Sequence, residues 1–304
     1  MDIQSGKKNH SAEKIRSLGL CLGASPVSAV QIEADRCTDP AASCTSLNPH
    51  VTGFLILSHE GDPRRTLLSA FEQLGKSFDR IASTGRRFHK LLNLSTISEP
   101  EAVEYAYGFV KSPEIASPAI VSAGGETFMV YVLNRAGRIS NVRTGNKCAS
   151  GTGEFFLQQI RRMNVSIEEA ASWAASEEPH NVSGRCSVFC KSDCTHATNK
   201  GVPKSKVASG LCKMMANKIL ELLKKVKREN IMITGGTTQN RMMIDYLQRE
   251  GPGLIVPKEA PYFEALGAAL WALEHETLPL SDTGDLFKNE SISFEICIEF
   301  LFCF

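Results

Sequence analysis

The sequence predicts an α/β protein of two similar lobes facing each other across a cleft, with cysteine-bearing helices inserted in the second lobe. Three observations predict it. A plan of three strands followed by helix, strand and helix runs from about residue 15 and begins again at Ala119, a repeat of pattern and not of residue identity. Glycine-bearing turns at 19–25, 123–127 and 235–240 follow strand-like runs, where a bare backbone lets a phosphate or nucleotide approach. Two further stretches, Thr144-Gly-Asn-Lys-Cys148-Ala-Ser-Gly-Thr-Gly153 and Gly184-Arg-Cys186-Ser-Val-Phe-Cys190-Lys-Ser-Asp-Cys194, each set a thiol at the start of a helical pattern.

Taken in order, 1–16 reads as a polar leader, 17–117 as the first lobe, 118–276 as the second lobe and 277–304 as an irregular tail. Residues 15–23 and 27–33 read as strands, 35–50 as a surface loop rich in Cys, Ser, Pro and Asn, and 53–58 as a third strand. Asp62 followed by Pro63 marks a helix start, with Leu67, Leu68, Phe71 and Leu74 as its apolar stripe. A short strand at 80–83 precedes a helix at 100–109, opened by the capping pair Ser98 and Glu101.

The second round has strands at 119–122, 127–133 and 138–142 and helices at 155–163, 166–176 and 205–229. A strand at 231–234 then runs into Gly235-Gly236-Thr-Thr-Gln-Asn240 and a helix at 242–249. A last strand at 254–256 precedes a helix at 261–275, whose Gly267-Ala268-Ala269 permits close approach of a neighbour. Residues 291–304 alternate without clean spacing and read as an edge strand at best.

Bulk properties narrow the function. A chain of 304 residues with 42% hydrophobic and 22% charged residues and a formal net charge of +1 has no strong field for nucleic acid. No apolar run reaches the roughly 18 residues that span a bilayer, and the polar start lacks a secretory core, so a cytoplasmic protein is expected. Ten cysteines in that setting favour thiolate, metal or redox chemistry over a disulfide framework. Unpaired amides and the helix dipole at 148 and 186 favour the thiolate form, the form that binds a metal or an iron–sulfur cluster. Cys21, Cys37, Cys44, Cys212, Cys297 and Cys303 read as small buried hydrophobes.

Asn146-Lys-Cys148-Ala-Ser-Gly-Thr-Gly153, Cys186-Ser-Val-Phe189 and Ile233-Thr-Gly-Gly-Thr-Thr-Gln-Asn240, in this order, resemble the ATP-dependent activators of 2-hydroxyacyl-CoA dehydratases and the ATPase subunits of benzoyl-CoA reductase. The resemblance runs from about Ser17 to Glu274 and implies two ribonuclease-H-like lobes of the actin, sugar-kinase and heat-shock-chaperone superfamily. It implies ATP with Mg²⁺ in the cleft, with Gly235, Gly236, Thr237 and Asn240 toward the adenosine and Gly23, Ala24, Ser25, Gly124 and Gly125 toward the phosphates. It also implies that Cys148 and Cys186 ligate a [4Fe–4S] cluster shared across a homodimer. ATP-driven motion would then pass one low-potential electron to a 2-hydroxyacyl-CoA dehydratase or benzoyl-CoA reductase type partner.

The chain departs from that pattern at the chemistry. Cys21 stands where the first phosphate turn of the family carries an aspartate, and Ser122 and Thr127 replace the acids of the second. Glu126 is the carboxylate that remains beside the turn, hence the candidate catalytic residue. Cys186, Cys190 and Cys194 are spaced by four and would form one helical stripe; with Cys148 they would supply four thiolates within one chain. Zinc suits this spacing less well, and His196 reads as a solvated helix residue. The alternative function is a nucleotide-binding docking or sensor module that does not hydrolyse, for example as part of a larger fused activase. A sugar or acetate kinase would leave Cys148 and Cys186 unexplained.

Overall fold

The computed structural model describes residues 13–36, 47–75, 77–85, 92–111, 117–145, 150–176, 178–224, 226, 229–251, 253–280 and 285–288. The first lobe is a five-stranded sheet in the order β3-β2-β1-β4-β5, formed by β1 (Glu13–Leu22), β2 (Pro26–Arg36), β3 (Leu47–Ser58), β4 (Arg80–Gly85) and β5 (Ser95–Thr96). β1, β2 and β3 are antiparallel, and β4 joins β1 in parallel with Leu18 beside Ile81. Helices α1 (Pro63–Leu74) and α2 (Glu99–Val110) begin at the expected caps: Asp62 Oδ1 accepts from the Arg65 N–H at 2.9 Å, and Ser98 Oγ from the Glu101 N–H at 3.3 Å.

The second lobe repeats the layout. β6 (Ala119–Ala123), β7 (Phe128–Leu133) and β8 (Ile139–Thr144) are antiparallel, and β9 (Ile231–Thr234) and β10 (Leu254–Ile255) extend the sheet in parallel. Its order is β8-β7-β6-β9-β10, the order of the first sheet strand for strand. β6 and β9 are buried along their whole length, which fits their mostly apolar residues: both faces of these central strands are covered. Between β8 and β9 lie α3 (Gly153–Arg162), α4 (Ile167–Ser172), α5 (Ser187–Asn199) and α6 (Lys204–Leu222), and α7 (Arg241–Glu250) follows β9.

The last helix, α8 (Phe263–Glu274), belongs to both lobes. It lies on β1, where Ser17 Oγ donates to the Ala269 carbonyl at 2.9 Å, and on α2, where Gly267 meets the backbone of Ala102. Its Phe263, Ala265, Leu266 and Ala269 share one core with Val30 and Ile32 of the first sheet and Ile120, Tyr131 and Met232 of the second. The two sheets are thus packed through a common apolar layer.

Some boundaries differ from the sequence reading. Residues 35–36 and 47–50, expected in a loop, extend β2 and β3, which pair as far as Arg36 and Leu47. α4 and α6 are shorter than the helices expected at 166–176 and 205–229. Leu286, in the expected irregular tail, is fully buried in the first lobe, and its carbonyl accepts from the Asn93 N–H at 2.9 Å. The edge strand expected at 291–304 lies outside the described residues, as do Cys37, Cys44, Cys297 and Cys303.

Candidate nucleotide cleft and metal centre

The turns at the ends of β1, β6 and β9 converge. Gly23 closes the β1–β2 turn by donating to the Pro26 carbonyl at 3.0 Å, which leaves Ala24 and Ser25 at its tip. Across from it is the β6–β7 turn: a Cβ on Gly125 would lie 2.7 Å from Ser25 Oγ and 3.5 Å from Ala24 Cβ, so the two turns are in close approach. The β9 turn joins them through Thr237, whose Oγ1 donates to the Gly124 carbonyl at 3.1 Å. Gly235, at φ 96°, sits against the backbone of Ala123, while Gly236 faces open space. Among the described residues, none accepts from the amides of Ala24, Ser25, Gly124 or Gly125. Unspent N–H groups on facing glycine turns fit an anionic phosphate chain.

Of the expected nucleotide residues, the structure brings together Gly23, Ala24, Ser25, Gly124, Gly125, Gly235, Gly236 and Thr237. Asn240 does different work: its Oδ1 caps α7 by accepting from the Met243 N–H at 3.1 Å, and its Nδ2 donates to Cys212 Sγ at 3.3 Å. Burial first of all pushes the Cys212 thiol up to about 12, which suits a core thiol and not a reactive one. Glu126 is exposed at the tip of the β6–β7 turn.

Sequence reasoning missed two carboxylates. Glu154, second residue of α3, accepts from Ser25 Oγ at 2.6 Å and so bonds the first lobe to the second. Glu264, second residue of α8, accepts from Ser122 Oγ at 2.8 Å. Burial holds its carboxyl above the ordinary carboxylate range, offset by the Ser122 bond and its own backbone N–H. Cys21 lies beside it, its thiol raised by burial and then by the nearby charges of Glu264 and Glu99. In the sequence, Glu264 is one more acid in a first helical turn, a common position that carries no sign of a cleft.

The cysteine helix α5 packs on α6 in the second lobe. Cys186 is the N-cap of α5, half-buried, and caps with no side-chain hydrogen bond, so its sulfur is left available. Val188 and Phe189 beside it are exposed, at 68% and 65%. Cys190 and Cys194 instead turn inward and pack in the second-lobe core. Their sulfurs are hydrogen-bonded: the bond to Cys194 first, then burial, raises the Cys190 thiol, and the same bond lowers that of Cys194. Cys148 lies outside the described residues, but the chain on either side is placed. Ser150 Oγ donates to the Gly184 carbonyl at 3.3 Å, and Lys218 Nζ donates to Ser150 O and, at 2.9 Å, to Ser150 Oγ. The segments that carry Cys148 and Cys186 are therefore tied two residues from each thiol. Among the described residues no three His, Cys, Asp or Glu side chains form a metal-holding group.

Two ribonuclease-H-like sheets of identical strand order, with glycine turns facing across a cleft and a cysteine-bearing helical insert in the second, define the two-lobed actin-like ATPase class of fold. Residues 64–272 match the BadF/BadG/BcrA/BcrD ATPase family, and the chain belongs to that family. Its relatives include the 2-hydroxyisocaproyl-CoA dehydratase activator of Clostridioides difficile, 28% identical over 51% of this chain and 59% of the relative. The (R)-2-hydroxyglutaryl-CoA dehydratase activating ATPase of Acidaminococcus fermentans is 29% identical over 50% of this chain and 60% of its own length. The matched segment thus spans about three-fifths of these two relatives. The solved structure of the C. difficile activator with bound ADPNP superposes with a TM-score of 0.71 at 23% identity, over 86% of this chain and 95% of the other.

Proposed function

We infer that this chain is an ATP-binding iron–sulfur activator that hands a low-potential electron to a CoA-ester dehydratase or reductase, working as a homodimer in a reducing, cytoplasmic setting. The observation that carries the reading is a short mechanical path from the cleft to the cysteines. The Glu154 N–H donates to the Gly125 carbonyl at 2.9 Å and the Gly153 N–H to that of Gly124 at 3.4 Å. The phosphate turn is therefore bonded to the start of α3, whose preceding residues carry Cys148 and, through Ser150 and Gly184, reach Cys186. A nucleotide seated on Gly124 and Gly125 acts on the same few residues that position the thiols.

Bound to Cys148 and Cys186, a [4Fe–4S] cluster would supply one-electron chemistry. The chain's part is to hold the thiols. Cys186 stands at the N-terminus of α5, and the Lys218 ammonium secures the segment that neighbours Cys148. Two ligands per chain suit a cluster shared by two copies. The core positions of Cys190 and Cys194 argue against four thiolates within one chain. Electron transfer that is uphill by itself needs two states with different contacts, and a turn that also holds nucleotide provides them.

Chain purified without oxygen should hold about two irons, following from two ligands per copy of a four-iron cluster. Cys186→Ser should lose that iron and the associated colour. A colourless, iron-free wild type after reconstitution removes the electron-transfer reading. The second reading, nucleotide binding without hydrolysis, is favoured by Cys21, Ser122 and Thr127 in place of acids, and bound nucleotide without steady ATP turnover would select it.

A further inference from the structure

The floor of the cleft holds one carboxyl group that packing does not explain. Glu264 stands between the last residues of the first strand of each lobe, with Ser122 Oγ on one oxygen at 2.8 Å and Cys21 close enough to sense its charge. The residue keeps some exposed surface, yet its carboxyl is enclosed, and no basic side chain among the described residues is paired with it. Burial opposes the charged form of such a group, and an alanine or leucine, like most of α8, would serve the core better. An enclosed acid at a cleft, with no basic partner among the described residues, is a candidate functional group.

Its place points to a cation. Cys21 is two residues before Gly23, and Ser122 is two before Gly124, so Glu264 lies at the root of both phosphate turns. Mg²⁺ keeps most of its waters and is held by one or two carboxylates together with substrate phosphates, which is why one acid suffices and why no three-residue metal group is needed. The Glu264 carboxyl offers the anionic oxygens that the Cys21 thiol and the Ser122 hydroxyl at the strand ends lack.

We propose that Glu264 is the positioning carboxylate of the nucleotide site, supplied by α8 to the divalent cation that accompanies the phosphates. The proposal rests on the nucleotide-binding reading and adds to it the residue that makes binding depend on the metal. Ser122 becomes a second positioning residue, whose O–H fixes the orientation of the Glu264 carboxylate.

The test is to titrate ADP into the full chain with and without Mg²⁺ and take the ratio of the two affinities. Mg²⁺ should tighten binding about tenfold or more in the wild type. In Glu264→Gln, which keeps the shape and an acceptor for Ser122, the ratio should fall below about twofold. Returning an acid to the strand end in the double variant Ser122→Asp, Glu264→Gln should restore it, an outcome that a merely structural role for Glu264 does not produce. A wild-type ratio in Glu264→Gln overturns the proposal and leaves the nucleotide cleft standing. Failure of the wild type to bind ADP with or without Mg²⁺ overturns both.

Discussion

Gly267 shows how much one missing methyl group decides. An added Cβ there would fall closer to the O, C and Cα of Ala102 than real contacts allow, and the obstruction is backbone that cannot swing aside. Gly267→Ala should therefore destabilise the fold by about 3 kcal/mol or more, the upper part of the overpacking range, read from urea unfolding. Gly108→Ala in α2 is the control. Its Cβ meets nothing within 4 Å, so the helix should gain about 0.5–1 kcal/mol. Equal effects at both positions would show that α8 and α2 are not in backbone contact. The small-residue run at 267–269 is legible in the sequence as a place of close approach. Its partner Ala102 is not, because nothing local to either segment encodes a meeting across 165 positions. Glu264 and Glu154 were illegible for the same reason: their partners, Ser122 and Ser25, lie 142 and 129 residues away.

At the scale of elements, local chemistry was a good guide to where helices start and a poor one to where they stop. Asp62, Ser98 and Ser166 cap α1, α2 and α4 as their types and spacing imply, since capping involves residues three apart. The ends of α4 and α6 are set from afar. Ser209 Oγ accepts from the Ser176 N–H at 2.8 Å, which holds 173–176 out of helix, and Arg143 of β8 donates to the Leu222 and Lys224 carbonyls at 3.5 and 3.2 Å. The lysine-rich run beyond Leu222 continues a helical pattern, but β9 needs its chain back at the sheet. The start of α5 makes its own prediction. Cys186 occupies an N-cap without capping, so a serine, which accepts well from the amides of the first turn, should stabilise the iron-free chain by about 0.5–1 kcal/mol. Thermal unfolding of iron-free Cys186→Ser checks this, and a lower midpoint than the iron-free wild type would mean the sulfur is packed and not held ready.

The whole molecule is two copies of one sheet plan closed around α8. The repeat was legible because hydrophobic periodicity reports each strand and helix locally. The sharing of α8 was not, because that helix is buried on nearly every side and shows no single apolar stripe to assign to one sheet. The lobes also touch across the cleft mouth, where Ser25 bonds Glu154 and Arg161 lies 3.5 Å from Glu60. Arg161 and Glu60 are exposed, and a pair of that kind contributes less than about 1 kcal/mol. The Ser25–Glu154 bond matters more to function, because it places a carboxylate against the turn proposed to take phosphate and occupies the Ser25 hydroxyl. Phosphate brought to that turn would meet the Glu154 charge, so the contact works against binding while it ties the two lobes together. Glu154→Ala should then tighten ADP binding by up to about tenfold and speed its association, measured with a fluorescent analogue at low salt. Weaker binding would instead assign Glu154 to holding the lobes in the shape that nucleotide needs. In that case the closed cleft is the binding-competent state and no contact need be broken to enter it.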